Sequence, residues 1–450
     1  MLSATVDRRT IRLGRFSPAV ASRIADLKTG ICLDAADSLT ADEVSEIGEL
    51  VRRLSQSGLV EYRLTRGETD EDLVVIEPQV RDYAPCISAV RGGDLIALSR
   101  FAYMRRRGAH IVLESPCAGA LFRLCSAEIA KFIASLSEPQ SSESLVGRPG
   151  FPGPELVSLL LECEILFVVD AAGSKSLRVA EGDGALKLWE FHDLLFHARS
   201  TTGRHANPFG GVHAYADFVE PPPPVRPSWP GEAIDLRPLI SPSDPPSQFA
   251  ELLRRRCSTR RFEDRRPVTL AELSRFLDIA ARIRSTNRSD EEDSEIEIAP
   301  RPYPSGGASY ELELYLAIER CEGLPRGFYH YDAARHTLTR IEAQPKQLEA
   351  MLLDGKNYMG ARALPQILVT IAARFGRVSW KYSSFAYSLV LKDVGVLMQT
   401  LYLVATDMQL GACAIGAGDI DLFSKMTGLP FHVEGAVGQV ALGRGFDDSR

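Results

Sequence analysis

The stretch that decides the fold of the second half of this chain is RCSTRRF, residues 256–262. Arg256, Ser258 and Arg260 occupy alternating positions, so in an extended segment their side chains point to the same side. Two forked guanidinium donors and a hydroxyl that face one point form a good receptor for a phosphate dianion. The alternative interpretation is a solvated basic surface, because arginine-rich segments are common.

The residues around this stretch predict a mixed α/β domain. A helix precedes it at 248–255, and another begins near Thr269. The segment 311–318 alternates apolar and polar residues, as a strand does. The segment 301–307 reads RPYPSGG, and its prolines and glycines exclude regular structure and let the backbone approach a ligand closely.

A long helix is predicted after Ser383 and Ser384, either of which is a plausible N-cap. Apolar residues recur in it with the spacing of a heptad stripe, which predicts a helix that is buried almost all round and ends at Gly411. The stripe consists of Val390, Val394, Leu397, Leu401, Val404 and Met408. The next segment, Gly416 to Gly418, is no dinucleotide fingerprint, since position 421 is Asp and the segment is expected to follow a helix.

With the tripeptide WKY at 380–382, these motifs give the chain a family resemblance. From about residue 247 to 445 it resembles the FMN-dependent azoline dehydrogenases of the streptolysin and cyanobactin type, in the nitroreductase superfamily. The resemblance implies an α+β fold, in which a mixed sheet flanked by helices binds FMN. It also implies a homodimer with the long helix at the interface; the alternative is the core helix of a monomer.

The resemblance implies a cofactor site assembled from distant segments. FMN would be bound by Arg256, Cys257, Ser258, Arg260, Pro304, Ser305, Gly306, Gly307, Gln399, Ile415, Gly416, Ala417, Gly418 and Arg444. Arg444 would join the opening motif on the phosphate. One departure is that Val396 and Thr400 stand where relatives often have histidine and asparagine.

The resemblance assigns the catalytic base to Lys381 and Tyr382. Oxidation of a peptide thiazoline or oxazoline removes a proton from one ring carbon and a hydride, which goes to flavin N5, from its neighbour. A serine cap would place both residues at the positive end of the long helix, where the field favours an uncharged amine or a phenolate. Without the resemblance, the two residues are better explained as a surface lysine and a packing tyrosine.

Two further functions remain open. With no nicotinamide fingerprint present, we expect dioxygen to reoxidise the flavin, but an NAD(P)H-dependent nitroreductase is the alternative enzyme. The other alternative is a flavin-binding scaffold that recruits a cyclodehydratase without chemistry of its own.

The N-terminal half predicts two winged-helix-like modules, residues 1–90 and 91–185, followed by a proline-rich linker at 186–246 and the FMN domain at 247–450. In the first module we expect a strand at 10–13, a helix capped by Thr40 and ended by Gly58, and a strand at 59–64. In the second we expect a strand at 109–114, a helix at 118–136 and a helix running into a strand at 154–170.

Winged helices suggest DNA, but acidic residues in the predicted recognition helix disfavour it. The family often uses such modules to bind the leader of a precursor peptide as an added strand.

Composition and residue spacing limit the possible partners, compartment and metal binding of the chain. A net charge of −7 and a pI near 5.8 argue against nucleic acid as the main partner. We expect no membrane span and no signal peptide. The eight cysteines include no Cys-x-x-Cys pair, which fits a reducing cytoplasm. His192, His197 and His205 invite a metal, but a spacing of five does not stack on one helical face, so we expect capping and hydrogen bonds instead.

Overall fold

The computed structural model of the chain describes residues 2–6, 9–18, 20, 41–56, 59–66, 71–80, 83–146, 152–169, 184–201, 204, 211, 213, 215–226, 228, 230–240, 247–263, 265–288 and 297–445. The chain divides into two compact units, Met1–Ala206 and Asn207–Arg450.

The first unit contains three antiparallel sheets. A hairpin pairs β1 (Leu2–Val6) with β2 (Arg9–Gly14). The largest sheet has, in spatial order, β3 (Tyr62–Thr65), β4 (Asp72–Pro78), β8 (Ala120–Leu124), β7 (His110–Glu114) and β6 (Tyr103–Arg107). A small sheet orders β10 (Leu166–Val168), β5 (Leu95–Leu98) and β9 (Gln140–Ser141). The strands predicted at 10–13, 59–64 and 109–114 are thus present.

Five helices accompany these sheets among the described residues of this unit: α1 (Ala41–Gln56), α2 (Ala127–Ser135), α3 (Ser142–Val146), α4 (Gly153–Glu162) and α5 (Phe191–Ser200). A short 3₁₀ helix spans Leu186–Leu188. The helix predicted after Thr40 is α1, although Thr40 and Gly58 themselves lie outside the described residues. The predicted helix that runs into a strand is α4 followed by β10.

The helix predicted for 118–136 is wrong in its first part. Residues 120–124 form β8, a central strand whose Leu121 and Phe122 are both buried. A strand buried on both faces has an uninterrupted apolar run, which periodicity does not distinguish from a buried helix. Ser126 then caps α2 by accepting the Glu128 N–H.

The five-stranded sheet crosses the predicted boundary at residue 90, because β4 pairs with β8. Helix α5 lies inside the range predicted to be linker, and its Leu194 and Ala198 are fully buried in the first unit. The winged-helix character of this half stays a prediction.

The second unit is built on a six-stranded sheet with the spatial order β15 (Thr337–Ile341), β14 (Gly327–Asp332), β13 (Leu312–Ile318), β16 (Ile367–Arg374), β18 (Glu434–Gly443) and β17 (Gly411–Ile415). A two-stranded ribbon joins β11 (Asn287–Arg288) and β12 (Glu297–Ile298). The predicted α+β class is confirmed. We expected a mixed sheet, whereas the described strands pair antiparallel throughout.

The part of this unit that the structure describes has six helices: α6 (Gln248–Arg255), α7 (Leu270–Ala281), α8 (Pro345–Met359), α9 (Gly376–Ser379), α10 (Ala386–Asp407) and α11 (Ile420–Thr427). Short 3₁₀ turns span Arg237–Leu239 and Gly306–Ala308. Thr269 and Glu272 form a capping box that begins α7, as the sequence there predicts.

Helix α10 is the long helix of the sequence, and its apolar stripe is buried from Val390 to Val404. It packs on β17, β18 and α7. The expectation that it is buried all round is wrong for a single chain, because Lys392, Gly395, Val396 and Gln399 are exposed. It is also the one described helix long and apolar enough to cross a membrane, where we expected none. Its contacts with the sheet account for that apolarity.

Candidate functional site

The loop that carries the RPYPSGG motif is fastened to helix α10 by one aspartate. Asp393 is buried and accepts the Gly306 N–H with both carboxylate oxygens, at 3.1 and 2.9 Å. The Ser305 hydroxyl donates to the same carboxylate at 2.8 Å. Pro304 precedes this anchored pair and Gly307 follows it, so the loop has a fixed backbone position.

Gly307 lies directly beneath the hydroxyl of Tyr382. Its φ of +57° is left-handed, and a Cβ there would overlap the phenol oxygen. The Lys381 amine lies 5.7 Å from the centre of the Tyr382 ring. The structure therefore brings together both predicted catalytic residues and a glycine predicted to contact the cofactor.

Backbone strain is concentrated around this point. Ala308, Tyr310 and Ser384 have φ values of +55°, +44° and +67°, which non-glycine residues rarely adopt. Each such residue costs about 1–3 kcal/mol and persists where the surroundings impose it. Two of these residues follow Gly307, and the third stands between Tyr382 and α10.

The predicted serine cap of α10 is wrong. Phe385 occupies the cap position and makes no side-chain hydrogen bond there. The amides of Lys381 and Tyr382 instead donate to the carbonyl of Val378, at 3.1 and 2.9 Å. Both residues thus belong to the turn that closes α9, and the field of α10 is a weaker influence on them than we expected.

Tyr402 contacts two residues of the opening motif, and this tyrosine was not predicted from the sequence. Its hydroxyl is 2.8 Å from Ser258 Oγ and accepts the Ala414 N–H at 2.7 Å. The guanidinium of Arg256 lies over the same ring, 5.3 Å from its centre. Arg256 and Ser258 therefore meet at one side chain, as alternation predicts. The sequence feature that could have identified Tyr402 is a tyrosine within an apolar helix.

The remaining residues of this motif differ in exposure. Arg260 and Cys257 are both exposed. Cys413 is buried, and burial raises the pKa of its thiol while nearby Arg260 opposes the rise. The Thr259 N–H donates to the Ala412 carbonyl at 2.8 Å, which holds the motif along β17.

Arg444 is held by a carboxylate rather than left open to a ligand. Its guanidinium donates to both oxygens of Glu272 at 2.7 Å. Burial raises the pKa of Glu272, but hydrogen bonds from Arg444 and Thr269 outweigh this and lower it overall. A phosphate role for Arg444 stays a prediction.

The segment 416–418 follows strand β17 and precedes helix α11, so our expectation that it follows a helix is wrong. Ile415 and Ala417 are core residues, whereas Gly416 is exposed and a Cβ there would meet nothing within 4 Å. A Cβ on Gly418 would contact Ala436 at 3.4 Å. Gln399 is exposed on α10.

A second buried carboxylate, Glu311, was also missed. It is fully buried, and its Oε2 lies 3.2 Å from the Ser305 hydroxyl. Burial raises its pKa to about 7, and the nearby Asp393 charge adds to the rise. Perturbed acids near a glycine loop mark candidate functional sites. The sequence feature that could have identified Glu311 is an acidic residue just before a strand and shortly after the motif.

The predicted histidine cluster has a structural explanation. Buried His197 stacks on Trp189, with ring centres 5.8 Å apart, and exposed His192 is 3.5 Å from Asp193. His205 lies outside the described residues. In the part of the chain that the structure describes, no group of His, Cys, Asp or Glu is arranged to hold a metal.

The donor set fits a flat cofactor with an anionic tail. Arg256, Ser258 and Arg260 offer cationic and hydroxyl donors at one end of α10, and the glycine loop lies nearer its other end. Asp393 and Tyr402, which anchor the two groups, are nine residues apart on the helix, about 14 Å along its axis. A Cβ on Gly395 or on Gly416 would meet nothing within 4 Å.

Comparisons with known proteins identify the family of this chain. Residues 96–206 match the cyanobactin oxidase family, and residues 253–444 match the nitroreductase family. A protein of Methanocaldococcus jannaschii named as a nitroreductase is 32% identical over 151 residues, which cover 34% of this chain and 70% of that protein. The resemblance predicted from the motifs is confirmed.

Two solved structures are distant likenesses. A nitroreductase structure from Ralstonia eutropha is 21% identical with a TM-score of 0.35, covering 46% of this chain and 87% of its own. The microcin synthetase McbBCD complex of E. coli, with truncated pro-MccB17 bound, contains a chain that is 19% identical with a TM-score of 0.39, covering 57% and 95%.

Proposed function

Because the chain belongs to the nitroreductase family, we propose that it is an FMN-dependent azoline dehydrogenase. It converts thiazolines or oxazolines of a peptide to thiazoles or oxazoles in natural-product biosynthesis. The observation that carries the proposal is the order of the two family matches: a cyanobactin oxidase segment precedes the nitroreductase segment in one chain.

The chain itself contributes a base to the reaction, together with the turn that positions this base. Lys381 and Tyr382 share one turn, and Tyr382 is fixed against Gly307 of the loop. A base must lie within hydrogen-bond reach of the proton that it removes. The amine or phenol takes the ring proton, and the hydride leaves from the neighbouring carbon.

FMN would be held by Arg256, Ser258 and Arg260 at its phosphate and by Gly306 and Gly307 at its ring. When bound, it supplies the two-electron acceptor, with dioxygen as the final oxidant. The exposed guanidinium of Arg260 is the donor least committed to partners within the described chain.

The peptide partner has strand edges on which to bind. Among the described strands, Tyr62–Thr65 and Tyr103–Arg107 form the two edges of the five-stranded sheet. A leader peptide that adds a strand there would use backbone hydrogen bonds for affinity. A cyclodehydratase that makes the azoline is the matching protein partner, and the cytoplasm is the matching compartment.

A homodimer is supported by the open face of α10. Lys392, Gly395, Val396 and Gln399 are exposed on this helix. Trp380 and Phe385, in the segment before it, are 67% and 47% exposed. Exposed apolar side chains such as Trp380, Phe385 and Val396 are typical of an interface.

The test is to supply the purified protein, loaded with FMN, with a synthetic peptide that contains one thiazoline. We expect a product lighter by two hydrogens, and no bleaching of the flavin by NADPH. Replacement of Lys381 by Ala should abolish the conversion while FMN stays bound, whereas Lys346→Ala, an exposed lysine on α8, should have no effect. Flavin bleaching by NADPH would favour the nitroreductase, and unchanged conversion in Lys381→Ala would contradict the assignment.

A further inference from the structure

Three polar groups surround one hydroxyl in the glycine loop. Ser305 Oγ lies 2.8 Å from Asp393 Oδ2, 3.2 Å from Glu311 Oε2 and 2.9 Å from the Tyr310 amide nitrogen. The Tyr310 N–H donates to Oγ. The hydroxyl has a single hydrogen, so it donates to only one of the two carboxyl groups.

The second carboxyl group must therefore carry a hydrogen of its own. Asp393 is the ionised partner, because it also accepts the Gly306 N–H with both oxygens. Glu311 is fully buried, and within the described residues its Oε1 has no hydrogen-bond partner. A buried carboxylate without partners is costly, whereas a carboxylic acid that donates to Ser305 satisfies the hydroxyl.

We propose that Glu311 holds a proton at neutral pH and donates it to Ser305, and that this acid positions the loop which carries Gly307 beneath Tyr382. Ser305 then donates to Asp393, so one chain of hydrogen bonds joins the residue that precedes strand β13, the loop and helix α10. Loss of the proton leaves two anions facing a single hydroxyl. The loop moves as a result, and Tyr382 loses its contact with Gly307.

The surroundings favour the neutral acid. Burial and the neighbouring Asp393 together raise the pKa of Glu311 to about 7, although hydrogen bonds to its own backbone and to Ser305 oppose the rise. The other charged or titratable groups near this site are Tyr303, which is buried, and Arg301, which is paired with Glu313 at 3.0 Å. Because Arg301 is committed to Glu313, it does not neutralise Glu311.

The sign of the pH effect follows from the raised pKa. A carboxyl whose pKa is raised on folding stabilises the fold fully below its unfolded value, 4.5, and this stabilisation is lost as pH rises through about 7. The effect on cofactor binding rests on the proposed function. The proton itself does not, since it belongs to the protein without cofactor.

The first experiment is a titration of the full chain, without FMN, with ¹³C-labelled glutamate side chains followed by NMR. We expect one carboxyl resonance that titrates near pH 7 and is absent in Glu311→Gln. Asp393→Asn should move that resonance to lower pH, because it removes the neighbouring charge. Burial also raises the pKa of Glu434, so Glu434→Gln is the matched control for assignment. If Glu311→Gln removes no resonance that titrates above about pH 6, the proposal is overturned.

The second experiment measures FMN affinity against pH. If only the protonated form holds the loop in place, the protonated fraction falls from one half at the pKa of about 7 to about one eleventh at one unit above it, so the FMN affinity of the wild type should fall about fivefold over that range. Glu311→Gln keeps an N–H donor to Ser305, so its affinity should be independent of pH, and Glu311→Ala should bind weakly throughout. A flat wild-type profile with an intact NMR titration would refute the positioning role alone. A failure to oxidise azolines, with both results as expected, would refute only the proposed function.

Discussion

The phenol oxygen of Tyr382 occupies the space that a side chain on residue 307 would need. A glycine motif and a tyrosine 75 positions later in the chain are therefore one structural unit. Gly307 of the motif has no Cβ, and the Tyr382 hydroxyl fills the space that a Cβ would occupy. In the proposed reaction this contact determines where the base lies.

Substitution of Gly307 by Ala tests this contact. The left-handed backbone alone costs a non-glycine residue about 1 kcal/mol. The added methyl group also displaces Tyr382, so we expect azole formation to fall at least tenfold, or about 1.4 kcal/mol in activation free energy. Rates of conversion and melting temperatures measure the two effects.

Gly360 provides the matched control for that substitution. It has a φ of +64° at the end of α8, and a Cβ there meets nothing within 4 Å. Gly360→Ala should show the same backbone strain with unchanged activity. Equal activities in the two variants would show that Tyr382 tolerates displacement.

Tyr402→Phe tests the organisation of the opening motif. The change removes the hydroxyl that contacts Ser258 and leaves the Ala414 N–H without its acceptor. A buried donor left unsatisfied costs about 1–3 kcal/mol. We expect FMN affinity to fall roughly tenfold, measured by fluorescence titration. Tyr331→Phe removes a comparable bond to His336 and should leave affinity unchanged. Equal losses in the two variants would indicate a general loss of stability.

The sequence predicted the parts of this site that depend on local pattern. Alternation placed Arg256 and Ser258 on one side, and the apolar spacing of α10 identified the face that lies on the sheet. Pro304 and Gly307 marked a loop of special geometry. Each of these features depends on residues close together in the chain, so a single sequence contains the information.

The sequence did not reveal which distant side chains complete the site. Asp393 and Tyr402 interrupt an apolar helix, but only the fold shows that Asp393 accepts from the Ser305 hydroxyl and the Gly306 N–H, and that Tyr402 accepts from β17. The predicted cap at Ser384 is wrong because that residue adopts a left-handed conformation; Phe385 is the N-cap and α10 begins at Ala386. Strand β8 was read as helix because burial on both faces removes its period of two.

Val396→Glu tests the proposed homodimer. Val396 is 36% exposed on the open face of α10, and a buried charge there would be incompatible with an interface. We expect a dimer of the wild type and a monomer of the variant by light scattering. Leu353→Glu places the same charge on exposed surface of α8 and should remain dimeric. A monomeric wild type would refute the interface.

Glu272→Gln tests whether Arg444 is available to a phosphate. The carboxylate has a lowered pKa, so the pair stabilises the fold above the ordinary value of 4.5 and this stabilisation is lost as pH falls through the lower folded value. The variant should therefore be less stable than the wild type at neutral pH. Its stability should also no longer show the decrease at acid pH that comes from Glu272. If Arg444 binds the phosphate, its release from Glu272 should maintain or raise FMN affinity, whereas Arg444→Ala should lower both stability and affinity. Arg444→Ala with unchanged affinity would show that this arginine serves only to hold the N-terminus of α7.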